Sequence, residues 1–201
     1  MLEVDHLQMS FQGQEVIKDA TFTLEPGDLV HITGPNGCGK STLFKAITGI
    51  YQATGGKCTL GEKDEIGALI ENPGFLEFAD LKSNLSFLAK LKHEFDYNYT
   101  QTFCQRLGLD LASKQRMSKY SIGMRQKAGI IQAVMEKQNV ILLDEPSRGL
   151  DADSLLAFAD LVNDLAKEGR SVVIASHDQV PGINYNKHYV LEQGVLTQNE
   201  N

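Results

Sequence analysis

The stretch Gly34-Pro35-Asn36-Gly37-Cys38-Gly39-Lys40-Ser41-Thr42 holds two glycines separated by four residues, followed by a lysine and two hydroxyl residues. Each of these types has a use toward a polyphosphate. Glycines allow the backbone to turn its N–H groups inward around phosphate oxygens. A lysine in this position reaches the β- and γ-phosphates, and the Ser41 hydroxyl suits Mg²⁺. Asn36, Gly37, Cys38, Gly39 and Thr42 complete the wall of such a loop. The pattern needs a strand before it and a helix after it. Both are legible: Leu29-Val30-His31-Ile32 is a short apolar run behind the turn pair Pro26-Gly27, and Leu43-Phe44-Lys45-Ala46-Ile47 reads as a helix. The first turn of that helix would present unpaired N–H groups and its positive dipole end to the same anion.

Two further stretches carry chemistry at strand ends. Val140-Ile141-Leu142-Leu143 is a run of four aliphatics, read as a strand buried on both faces of a parallel sheet, and it ends in Asp144-Glu145. Ligands of open parallel sheets bind beyond the carboxyl ends of the strands. Asp144 with Ser41 would then hold Mg²⁺, while Glu145 is placed to orient and deprotonate an attacking water. Val172-Val173-Ile174-Ala175 makes another buried strand and ends in Ser176-His177-Asp178, which predicts a γ-phosphate contact for His177.

The elements that must position these groups follow from periodicity. Residues 2–24 alternate in places and predict two or three half-exposed strands with a turn near Gln12-Gly13-Gln14. Phe11, beside that turn, reads by itself as core packing. A turn at Thr54-Gly55-Gly56-Lys57 leads to a predicted strand pair, Cys58-Thr59-Leu60 with residues 66–70, across a charged turn. Glu71-Asn72-Pro73-Gly74 then breaks the chain. Residues 75–135 change to helical spacing, with Leu81, Leu85 and Leu88 on one face, then Phe103 and Leu107, then Met124, Ala128, Ile131 and Met135. A helix bearing Leu155, Ala159, Val162 and Ala166 is stopped by Gly169, and a hairpin closes around Gln193-Gly194. The predicted fold class is α/β in one domain. Its mainly parallel core takes about 1–72 and 137–201, antiparallel strands open the chain, and a helical subdomain is inserted at about 73–136.

Composition sets bounds. A chain of 201 residues suits one domain, and 42% hydrophobic with 22% charged residues is ordinary for a globular protein. A net charge of -7 argues against a nucleic-acid partner, which usually meets a basic face. Cys38, Cys58 and Cys104 are an odd set without metal-like spacing, which predicts a reducing compartment. Met1-Leu2-Glu3-Val4-Asp5 shows no leader pattern, and no run approaches the roughly 18 apolar residues of a membrane helix. A soluble, cytosolic protein is expected, with any membrane span supplied by another polypeptide.

With these motifs in this order, the chain resembles an ATP-binding-cassette (ABC) ATPase subunit of a transporter over essentially its whole length. Tyr120-Ser121-Ile122-Gly123-Met124-Arg125-Gln126 resembles the signature motif, and Leu142-Leu143-Asp144-Glu145-Pro146 the second Walker motif with its catalytic Glu. Ser147-Arg148-Gly149-Leu150-Asp151 resembles the D-loop, and Ser176-His177-Asp178 the switch histidine. The resemblance implies a RecA-like P-loop NTPase core, ATP and Mg²⁺ as cofactors, and ATP hydrolysis served by Lys40, Glu145 and His177. It gives Phe11 an adenine-stacking role in place of core packing. It also implies a head-to-tail pair of cassettes, alike or different, in which Ser121, Gly123 and Asp151 serve the nucleotide site. The expected partner is an integral membrane permease that holds the protein at the inner face of the cell membrane.

Two departures stand out. Ile122 occupies the place of a second glycine, and Glu71 the place of the usual Gln. Glu71 is able to meet Mg²⁺ or its water but not to donate a hydrogen bond as an amide does. This Glu, with the Tyr-Ser-Ile-Gly-Met signature, resembles the branch serving bacitracin-type and lantibiotic-immunity exporters, which implies export. Phe75, Leu76 and Phe78 either line a groove for a permease helix or cap the helical insert's own core. A soluble ABC ATPase acting on nucleic acid or ribosomes is the competing reading. Such relatives usually carry a coiled-coil insertion or a basic linker, and this acidic chain has neither. A small-molecule phosphotransferase would leave the signature and Ser176-His177 unexplained.

Overall fold

A computed structural model describes residues 2–199 of the chain. Strands β1 (Leu2–Phe11) and β2 (Gln14–Leu24) pair antiparallel across Gln12-Gly13. Both turn residues are left-handed, at φ 49° and 84°, the sense that matches the twist of the flanking strands. β1 also pairs antiparallel with β4 (Gly55–Leu60), so the chain opens with an antiparallel layer as expected.

The predicted pairing of residues 58–60 with 66–70 does not form. The whole sheet runs β4-β1-β2-β9-β8-β3-β7-β6-β5, so β4 and β5 (Ile66–Leu69) lie at opposite ends of it. The charged segment does turn, with Asp64 N–H donating to the Gly61 carbonyl, but it leads to the far edge. There β5 lies parallel to β6 (Val140–Asp144). The physical reason is cover. Ile-Gly-Ala-Leu has no polar face to give to water, whereas Gly-Gly-Lys-Cys-Thr-Leu keeps one. A helix laid against β5 supplies what a hairpin partner could not.

The central strands are β3 (Leu29–Thr33), β7 (Ser171–Ala175) and β8 (Lys187–Glu192); β9 (Val195–Gln198) closes the hairpin with β8. Neighbours from β8 through β3, β7 and β6 to β5 are all parallel. Alternate residues of β6 and β7 feed opposite faces. Ile141, Leu143, Val172 and Ile174 belong to one apolar cluster, and Val140, Leu142, Val173 and Ala175 to the other. Burying each such side chain stabilises the fold by about 1.5–3 kcal/mol, less for alanine.

Helix α1 (Lys40–Ile47) fills one face with Leu43 and Phe44, both fully buried. The other face is covered by α2 (Leu81–Ala89), α3 (Tyr97–Arg106), α4 (Ile122–Val134) and α5 (Ala152–Lys167), which contribute Leu85, Phe103, Ile131 and Phe158 to one continuous core. α4 packs tightly on β5: an added Cβ at Gly129 would lie 2.6 Å from Leu69 Cδ1, and one at Gly67 would strike the Ala133 carbonyl. The three apolar residues after the breaker cluster divide. Phe75 is buried in this core, whereas Leu76 and Phe78 are 40% and 72% exposed. Among the described residues no helix is long and apolar enough to cross a membrane.

Candidate active site

Register brings the strand ends level. Ile32 of β3 lies beside Ala175 of β7, which lies beside Asp144 of β6. The chain leaves β3 through residues 34–39 and enters α1 at Lys40. Gly39 is at φ 111°, and a Cβ there would fall 2.8 Å from Ile17 Cδ1, so conformation and space both demand glycine. At Gly34 a Cβ would strike the Leu191 carbonyl.

α1 differs from the other helices at its start. α2, α3, α4 and α5 each have a first-turn N–H bonded to a capping side chain, from Asp80, Asp96, Ser121 and Asp151 respectively. No side chain caps α1. Its first N–H groups open instead on a cleft of about 320 Å³ lined by Asn36, Gly37, Gly39, Lys40, Ser41, Thr42, Glu71, Asp144 and Glu145. Residues from three remote parts of the sequence meet there.

Lys40 is buried and its Nζ donates to the carbonyls of Gly34 and Pro35, at 2.8 and 3.4 Å. An ammonium has three protons, so one remains for the cleft. Ser41 Oγ donates to Asp144 Oδ2 at 2.5 Å. Burial pushes the Asp144 carboxyl above its usual range, and the Ser41 hydrogen bond opposes that shift. A desolvated carboxylate beside a hydroxyl, at the rim of an open cleft, is the donor chemistry that a hard divalent cation takes. Among the described residues no group of three or more His, Cys, Asp or Glu could hold a metal by itself. Water and phosphate oxygens would have to complete the shell.

Glu145 and Glu71 share a feature that sequence reading does not reveal. Both are left-handed, at φ 47° and 58°, a conformation that L residues other than glycine seldom adopt. Glu145 is held there by its N–H on the Ala175 carbonyl at 2.8 Å, and by Gln126 Nε2 donating to its own carbonyl at 2.9 Å. Glu71 Oε1 accepts from Lys45 Nζ at 2.6 Å. Gln126 and Lys45 were not among the expected site residues, though each left a signal. Gln126 shares a buried helical stripe with Gly129, Ile130 and Ala133, and Lys45 stands one turn beyond Ser41.

Other expected residues lie outside the cleft. Phe11, at the end of β1, is 39% exposed and edge-on to Tyr51 with ring centroids 5.2 Å apart, so the core-packing reading of it does not hold. Cys38 is half-buried, with its N–H on the Pro35 carbonyl. His177 stands at the same sheet edge, where Thr33 Oγ1 donates to its carbonyl, but its exposed ring lines a neighbouring hollow with His31 and His188. Ser121 is exposed at the start of α4, Gly123 is pressed against the Gly149 carbonyl, and Asp151 caps α5.

Comparison with known proteins adds an independent observation. The family model described as ABC transporter matches residues 17–148. Over 188 residues the chain is 30% identical to the uncharacterised ABC transporter ATP-binding protein YdbJ of Bacillus subtilis (strain 168); the match covers 88% of this chain and 61% of that one, so the chain spans under two thirds of that relative. YybJ of the same organism is 33% identical over 186 residues, covering 88% of this chain and 85% of its own. The taurine import ATP-binding protein TauB of Escherichia coli O157:H7 is 33% identical over 188 residues, covering 89% and 74%. A solved ATP-binding subunit of an ABC transporter superposes with a TM-score of 0.88 at 23% identity, over 99% of this chain and 89% of that chain. CbiO1 of Clostridium perfringens, described as part of the complex CbiONQ, gives 0.78 at 23% identity, over 98% and 87%. The two structures establish a shared fold.

Proposed function

This chain belongs to the ABC transporter ATP-binding family, whose members hydrolyse ATP, and from that premise we propose that it powers a separately encoded membrane permease. The observation that carries the reading is the uncapped start of α1, set in one cleft with Lys40, the Ser41–Asp144 pair and Glu145. The N–H groups and Lys40 bind the β- and γ-phosphates. Mg²⁺ would be held by Ser41 and Asp144, and when bound it neutralises phosphate charge. Glu145, fixed by its two backbone bonds, takes the proton of the attacking water. His177, whose exposed ring opens on the adjoining hollow, would turn toward the γ-phosphate, and Phe11, braced by Tyr51, stacks on adenine.

Ser121, Gly123 and Asp151 lie outside their own chain's cleft, and this supports a head-to-tail second cassette that brings them to the nucleotide. The exposed Leu76 and Phe78 support permease docking beside α2, which would hold the protein at the inner membrane face. Glu71 and the Tyr-Ser-Ile-Gly-Met signature favour export, while the taurine importers among the relatives favour the opposite direction. Flux measured in vesicles carrying the reconstituted permease separates the two. The site itself is tested by phosphate release from MgATP. Asp144→Asn should abolish it, and unchanged release would remove Asp144 from the site.

A further inference from the structure

Three carboxylates, Glu71, Asp144 and Glu145, line a cleft that is read here as holding a triphosphate, and two of Lys40's protons already go to loop carbonyls. Such a cleft carries excess negative charge toward its substrate unless part of it is cancelled. Glu71 is the acid whose charge has a dedicated partner. Its backbone lies close enough to the Asp144 carboxyl to favour the charged form there, while its own carboxylate accepts from Lys45. Lys45 is well placed to keep it there. It is mostly shielded, at 18% side-chain exposure, and its Nζ sits 5.3 Å over the Tyr51 ring, which in turn meets Phe11 edge-on.

We propose that Lys45 is a positioning residue for ATP hydrolysis: it neutralises Glu71 and holds that carboxylate against α1, so that an acid at this place is compatible with a triphosphate. The proposal rests on the ATP reading of the cleft and adds to it. Glu71 serves Lys45 and not the metal position, which belongs to Ser41 and Asp144. The acid at 71 and the cation at 45 then act as one unit. Removing the cation alone leaves an uncompensated carboxylate facing the phosphates; removing both leaves a neutral amide there, with nothing to compensate.

The test is a double-mutant cycle in steady-state ATP hydrolysis with the full-length protein. Lys45→Met should raise KM for MgATP about tenfold while kcat changes less than about twofold. Lys45→Arg, which keeps the charge, should stay within about twofold of the parent. In the Glu71→Gln background, Lys45→Met should cost less than about twofold. An undiminished tenfold cost in that background would overturn the proposal, as would a Lys45→Met enzyme with an unaltered KM. Should Lys45→Met fold poorly by circular dichroism, Lys45→Gln takes its place in the same cycle with the same outcomes. A purely structural Lys45 would lower the melting temperature in both backgrounds and leave KM alone, which also overturns it. Absence of ATP hydrolysis in the parent protein would instead refute the reading of the cleft.

Discussion

Helices α1 and α4 both begin where a family resemblance expects phosphate to be met, yet their first turns are finished in opposite ways. α1 starts at a left-handed glycine with no side-chain acceptor, in a cleft lined by Lys40, Ser41 and the acids. α4 starts at Ser121, whose Oγ accepts the Met124 N–H at 3.2 Å, beside an Ile122 that is 66% exposed. The first terminus leaves its N–H groups to the cleft. The second is satisfied by its own chain and faces outward, so it is suited to respond to a neighbour and not to supply affinity alone. Each terminus also has its own tether. Gly39 packs on Ile17 of the antiparallel layer, while α4 is tied to the end of β6 through Gln126 on the Glu145 carbonyl and lies against the Gly149 carbonyl at Gly123. A change at the start of α4 should therefore be felt at Glu145.

The largest expected effect tests whether the chemistry lies on the α1 side. Glu145→Gln should reduce phosphate release by about 10²- to 10⁴-fold while equilibrium ATP binding persists. Ordinary turnover in that variant would take the base away from Glu145. Lys40→Ala comes next, with ATP affinity expected to fall roughly 10- to 100-fold by calorimetry, since it removes a charged donor to the phosphates. Equal affinity would undo the claim that α1 supplies the binding. Gly123→Ala addresses the other terminus. Its Cβ would meet the Gly149 carbonyl, so stability should drop by about 1–3 kcal/mol and turnover should fall, with single-site ATP affinity unchanged. Loss of affinity there would erase the distinction between the two helices.

The smallest effect separates a neutral cap from a charged one. The Asp80 carboxyl, which caps α2, is held below its usual range by hydrogen bonding from Ser83, with burial opposing the shift. A folded pKa below the unfolded one contributes stability that is present above the unfolded value and lost as pH falls through the folded one. The melting temperature of the parent should therefore sag below about pH 4, and Asp80→Asn should flatten that slope. Ser121→Ala should lower the curve by about 2–4 °C without changing its slope, as a hydroxyl cap does not titrate there.

Much of the site could be read before any coordinates. Residues 34–42 announce themselves because a phosphate loop is a local device, whose glycines, lysine and hydroxyl act within a few residues of one another. The run before Asp144 announces a strand buried on both faces, since four aliphatics in a row leave no side for water. The partners of the acids were hidden. Glu71 with Lys45 and Glu145 with Gln126 are separated by 26 and 19 positions, and nothing local dictates either contact. The left-handed backbone at both acids is equally invisible; at Glu145 it is held by Gln126 and by the Ala175 carbonyl.

By itself, then, the sequence determined the phosphate loop, the order of strands and helices, and the acids waiting at a strand end, because turn chemistry and hydrophobic period act between near neighbours. Only the tertiary structure decided that β4 and β5 part to opposite ends of the sheet, that His177 opens on the hollow beside the cleft, and that Glu71 faces Lys45. Those outcomes depend on which surfaces find cover and which charges find partners, and in a folded chain both are settled between residues far apart in sequence.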